Sequence, residues 1–151
     1  MSVSRLKPMQ FIHNAFCMAV FTFGAIAFFL LDKPVYFSLN PTEDSEFYPM
    51  FPVLGILGIA AGLFLFRKQI SIVPELRTFD SKIVRYQTAF IIQSAFLEGA
   101  SLMNIVAFLK SANLVFIVVA IIAFLFLLMS FPGKQRVIND LKLEYPDTEK
   151  L

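Results

Sequence analysis

Five polar side chains, Gln93, Ser94, Glu98, Ser101 and Asn104, interrupt an otherwise apolar run from Ala89 to Leu109. Placed on a helix at about 100° per residue with Glu98 as origin, Ser94, Ser101, Asn104 and Gln93 fall near roughly −40°, −60°, −120° and −140°. All five therefore fit one sector of about 140°. The complementary face is Ile91, Ile92, Ala95, Phe96, Gly99, Leu102, Met103 and Val106. Glu98 sits next to the midpoint of the run, where an unpaired carboxyl costs at least about 2.5 kcal/mol on insertion scales. Two chemistries fit it. It can hydrogen-bond Ser94, Ser101 or a neighbouring helix as packing glue, or it can bind and release a proton or cation. The spans offer no second acid or base at this depth, which weights the packing reading.

The elements that must position this face follow from composition. Of the 151 residues 58% are hydrophobic and only 16% charged, with nineteen Phe and no Trp, and the mean hydropathy is +0.73. An ordinary soluble domain is nearer half apolar and a quarter charged. Cytosolic enzymes, disordered regulators and secreted disulfide scaffolds are thereby excluded. A net charge of +2 gives no electrostatic footprint for nucleic acid. Crossing about 30 Å of hydrocarbon takes roughly 20 helical residues. Four runs qualify, at 9–31, 50–66, 89–109 and 114–131, with 132–151 as a tail. The expected fold is all-α: a polytopic antiparallel bundle of four transmembrane helices forming one membrane domain. The first run is too long for a signal peptide, and Asp32-Lys33-Pro34 is no small-residue cleavage site.

Orientation follows from the basic residues. Arg5 and Lys7, then Arg67, Lys68, Arg77, Lys82 and Arg85, then Lys134, Arg136, Lys142 and Lys150 stand against Lys33 and Lys110 alone. Both termini are expected in the cytoplasm of a bacterial cell, with the chain in the inner membrane. The outward loop 32–49 carries Asp32, Glu43, Asp44 and Glu46, with headgroup-level aromatics such as Tyr36 and Phe47.

Leu76, Phe79, Ile83 and Tyr86 recur at helical spacing in the basic loop. The simplest reading is one helix from about Glu75 to Leu109, with a long cytoplasmic extension; the alternative is a break near Asp80-Ser81, a plausible N-cap pair. Pro132-Gly133 ends the fourth run, and Val137, Ile138 and Leu141 predict a short amphipathic helix on the inner membrane surface. Gly55, Gly58 and Gly62 share a helix face and permit close approach of another helix.

His13 and Cys17 lie one turn apart on the first run, but the chain has no second His or Cys, so packing is favoured over a metal or haem. No metal and no cofactor is expected. There is no nucleotide loop, nucleophile–base pair or paired carboxylate, and no enzyme is expected.

Residues 55–109 resemble, loosely, the hairpin subunit of the rotary ATP synthase c-ring. The resemblance rests on Gly55, Gly58 and Gly62, on the polar stretch Arg67-Lys68-Gln69 to Pro74-Glu75-Leu76-Arg77, and on Phe96-Leu97-Glu98-Gly99-Ala100. It implies Glu98 as ion carrier, but the glycine repeat is sparse, the loop is longer and two further spans are present. The whole chain is similar to small uncharacterised four-helix bacterial membrane proteins with Leu-Glu-Gly in the third span, a resemblance that implies no activity. The functional expectation is an accessory or scaffolding subunit of an inner-membrane complex, in contact with the lipid bilayer and with a membrane-protein partner or a second copy. The alternative is a proton- or cation-coupled component using Glu98.

Overall fold

The computed structural model describes residues 6–40, 47–73, 78–145 and 147–151. Five α-helices run in the order α1 (Lys7–Leu30), α2 (Met50–Ser71), α3 (Phe79–Ser111), α4 (Leu114–Met129) and α5 (Lys134–Leu141), before a short 3₁₀ turn, Asp147–Lys150. Among the described residues the only β-type pairing is an isolated bridge between Tyr36 and Asn113. Helices α1, α2 and α3 are each long and apolar enough to cross a membrane; α4 joins them only if counted with α5, from which it is bent by 84°. Its 16 residues extend about 24 Å, short of the roughly 30 Å of hydrocarbon. The architecture is therefore an all-helical bundle with three to four candidate membrane-crossing helices.

Helix α3 is the hub, packing against α2, α4 and α1. The bundle runs up and down, with α2 and α4 antiparallel to α3 and α1 parallel to it. Spans α2 and α3 run longer than their apolar runs suggest, because the helix continues through the flanking polar residues. At 33 residues, α3 is about 50 Å long, so the extension is present. It begins at Phe79, not Glu75, because Thr78 is extended and its hydroxyl accepts from the Ser81 amide at 3.3 Å. That cap satisfies an otherwise orphan donor of the first turn. The expected residues 75–77 lie outside the described residues.

The apolar interior has two parts. One, within the apolar length of the bundle, gathers residues such as Val20, Leu97, Phe108, Phe116 and Leu127. The other straddles the end of that length and gathers Phe66 of α2, Ile83, Tyr86 and Phe90 of α3, and Val137 and Leu141 of α5. Sequence periodicity places α5 on a membrane surface. Its bend fits that placement, but its two buried residues pack on protein, because the exposed turns of α3 present an apolar stripe at the same level. Tyr86 donates to Asp140 at 3.3 Å, Asp140 pairs with Arg136 at 3.5 Å, and the Arg136 guanidinium sits 5.6 Å from the Phe66 ring centre while donating to the Met129 carbonyl at 2.9 Å.

The opposite end is tied by the backbone. Ala112, left-handed at φ 62°, ends α3. Its carbonyl accepts from the Tyr36 amide at 3.2 Å, and Leu114 donates to the Tyr36 carbonyl at 2.8 Å. The Asn113 amide adds a bond to the Ser38 carbonyl at 2.9 Å, while its oxygen caps α4 through the Val115 amide at 3.1 Å.

Candidate functional site

Helix α3 turns its predicted polar sector inward. Gln93, Ser94, Ser101 and Asn104 are all buried, and Glu98 lies half-buried at the sector's edge. The complementary face, with Ile91, Ala95, Phe96, Gly99 and Val106, is exposed on the bundle surface. Such segregation is what hydrocarbon requires, since polar atoms there need partners within the protein.

The glycines of α2 seat this helix. A Cβ at Gly55 would overlap the Asn104 amide and lie 2.8 Å from Val119. At Gly62 it would lie 3.0 Å from the Phe96 Cβ and 3.3 Å from the Gln93 carbonyl, whereas at Gly58 the nearest atom, the Ala100 Cβ, is 3.4 Å away. Gly55 is thus the tightest point of the α2–α3 approach, Gly62 is next, and Gly58 has ordinary contact distance. The space at Gly55 lets Asn104 turn its amide to the Ala100 carbonyl at 2.9 Å and to the Phe51 carbonyl of α2 at 3.3 Å. Ser101 reaches the other neighbour, donating to the Ala120 carbonyl of α4 at 3.1 Å.

Several buried polar atoms have no partner: Gln93 Oε1, Ser94 Oγ, Asn104 Oδ1 and His13 Nδ1. Buried polar groups are ordinarily satisfied by protein or ordered water, and these four atoms find no protein partner among the described residues. Glu98 has neither a hydrogen bond nor an ion pair among the described residues, and Ser101 spends its hydroxyl on α4. Next to it, a Cβ built on Gly99 meets nothing within 4 Å. The sector thus splits into four buried residues, of which Ser101 and Asn104 tie α3 to α4 and α2, and one half-buried carboxyl that ties it to neither.

His13 is the residue whose placement sequence reasoning missed. It is buried between Phe90 and Phe131, with ring centres 6.1 and 5.4 Å away, and its Nε2 lies 3.4 Å from Cys17 Sγ. The parallel register set by His13 on Phe90 and Gly24 on Ile105 puts Cys17 about one helical turn short of the depth of Glu98. The one-turn spacing was visible in the sequence; the aromatic cage from α3 and the end of α4 was not. Among the described residues no group of three or more His, Cys, Asp or Glu is arranged to hold a metal ion.

Comparison with protein-family models, with curated proteins and with solved structures returns no match to this chain.

Proposed function

We propose that this chain is a small four-span accessory subunit of a bacterial inner-membrane complex, with both termini cytoplasmic, and that it seats a partner's transmembrane helix on the outward face of α3 at Glu98. One observation carries the reading: the mid-run carboxyl lies at the bundle's surface, without a partner of its own. A carboxyl left so in hydrocarbon is costly, and a donor on a second helix at the same depth removes the cost. Ala95 and Gly99, both exposed and four residues apart, flank it and allow a helix backbone to come close. The four-span topology rests on the distribution of basic residues and on counting α4 with its bend. Reporter fusions after Asn40 and after Tyr145 that report the same side of the membrane would defeat it.

The docking test is copurification from native membranes after crosslinking. A partner is expected with the wild-type chain and lost with Gly99→Leu, which fills open space and should accumulate normally. Equal recovery with Gly99→Leu, or no partner at all, overturns the proposal.

A second reading is favoured by the unpartnered Ser94 and Gln93 oxygens near the depth of Glu98: hydration along α3 that serves a proton- or cation-coupled role. Glu98→Gln discriminates. It keeps shape and hydrogen bonding while removing titration, so a variant that still assembles but shows the deletion phenotype selects ion handling over docking.

A further inference from the structure

We propose that the groove between α1 and α4 holds one acyl chain of a phospholipid whose phosphate rests on Lys33 and Lys110. Helices α1 and α4 both lean on α3 yet barely meet each other. Between them remains a cavity of about 320 Å³ lined entirely by apolar residues. Ile105 of α3 is its floor, Gly24 and Phe28 of α1 form one wall, and Ile117, Ile121 and Phe124 of α4 the other. Gly24 keeps it open, since its missing side chain leaves only Ile105 Cδ1 within reach, 3.6 Å from a Cβ position.

The length and position of the groove select the occupant. From Val20 to Phe28 it follows α1 for about 12 Å, close to half of the roughly 30 Å hydrocarbon thickness. One leaflet's chain has that reach, and a transmembrane helix does not stop there. Beyond the Phe28 end of the groove, Lys33 Nζ donates to the backbone carbonyl of Lys110 at 3.0 Å, which sets its ammonium at the last turn of α3. Both lysines are exposed, and an ammonium with one of its three donors used retains two for a phosphate. Asp32 precedes Lys33 and is exposed too. That carboxylate beside the lysine opposes a net-anionic headgroup, so the ligand class is a zwitterionic phospholipid.

The absence of tryptophan makes the test free of background. Phe21→Trp places a single indole on the lining of the groove. The variant is reconstituted in vesicles containing brominated phosphatidylcholine or a brominated galactosyl diacylglycerol with the same chains, two net-neutral lipids of which only the first carries a phosphate. Quenching is expected to favour the phosphate-bearing lipid by up to about fivefold, the factor that corresponds to the upper value of about 1 kcal/mol for an exposed ion pair. In a Phe21→Trp background, Lys33→Gln with Lys110→Gln should bring the ratio to about one; both lysines are exposed, so the fold should tolerate the change. Millimolar inorganic phosphate should leave the ratio unchanged, because the chain and not the free anion anchors the ligand. Equal quenching by both lipids before the lysines are changed, a preference that survives their removal, or displacement by inorganic phosphate each overturns the proposal.

Discussion

The two halves of α3 are held by opposite means. Within the apolar length of the bundle, α2 reaches it through missing side chains: Gly55 makes room for the Asn104 amide, and Gly62 rests against the backbone of Gln93. Beyond that length, α2 and α5 reach it through large ones, with the Phe66 and Tyr86 rings edge-to-face at 5.8 Å and Val137 and Leu141 fully buried. The difference reflects the solvent. Lipid tails are as apolar as Leu, so helices there gain from close contact and hydrogen bonds more than from burial. Water outside the membrane rewards every apolar area removed from it.

That contrast can be broken by mutation. The largest effect is expected from Tyr86→Ala, which empties the centre of the outer tier and should cost about 3–5 kcal/mol. Unfolding by denaturant titration in micelles measures it, and a loss under 1 kcal/mol would mean that this tier is ornamental. Next comes Gly55→Ala, where the added Cβ meets both Asn104 and Val119. About 1–3 kcal/mol should be lost to overpacking, with Gly62→Ala close behind. Gly58→Ala has room and should stay within about 0.5 kcal/mol. Equal values for Gly55→Ala and Gly58→Ala would show that close approach does not hold the membrane tier. The smallest measurable change is Tyr86→Phe, which removes only the bond to Asp140. It should cost about 0.5–1.5 kcal/mol and lower the hydrogen-exchange protection of α5 without touching α2. Protection lost in both helices would show that the tiers are one cooperative unit.

Much of this was legible in the sequence. The polar sector of α3 was, because hydrocarbon forces polar side chains toward protein and a helix repeats its faces regularly; Gln93, Ser94, Ser101 and Asn104 lie inside and Ile91, Gly99 and Val106 outside. The wheel also put Glu98 at one end of that sector, but its half-exposure was not legible, since a helical wheel gives an azimuth and not where the neighbouring helices sit. The fold-back of α5 was also hidden. Val137 and Leu141 read equally well as a membrane-facing stripe, and only the arrival of Ile83 and Tyr86 at the same level decides between lipid and protein. The register that cages His13 depends on α1 running parallel to α3, a long-range pairing that no local pattern encodes. Of the basic stretch, Thr78 was the unnoticed residue: its hydroxyl starts α3 four residues later than the apolar stripe alone implies.

The Asn113 clasp has a mechanical meaning. It joins the turn between α3 and α4 to the chain leaving α1, through backbone bonds on both sides of Tyr36. At the far end Arg136 grips the Met129 carbonyl of α4, the Phe66 ring of α2 and, through Asp140, Tyr86 of α3, while Gln10 of α1 donates to the Pro132 carbonyl at 3.3 Å. Rods pinned at both ends, as α1, α3 and α4 are, cannot slide or unscrew; they can only bow. The largest sideways excursion of a bowing rod is at its middle, so spin-label distances between α1 and α4 should spread most at mid-length and least at either clasp. The deformable zone would then be the stretch where Glu98, the unpartnered Ser94 hydroxyl and the inner end of the α1–α4 groove lie, leaving the bundle stiff where it is tied and compliant where it meets whatever shares its bilayer.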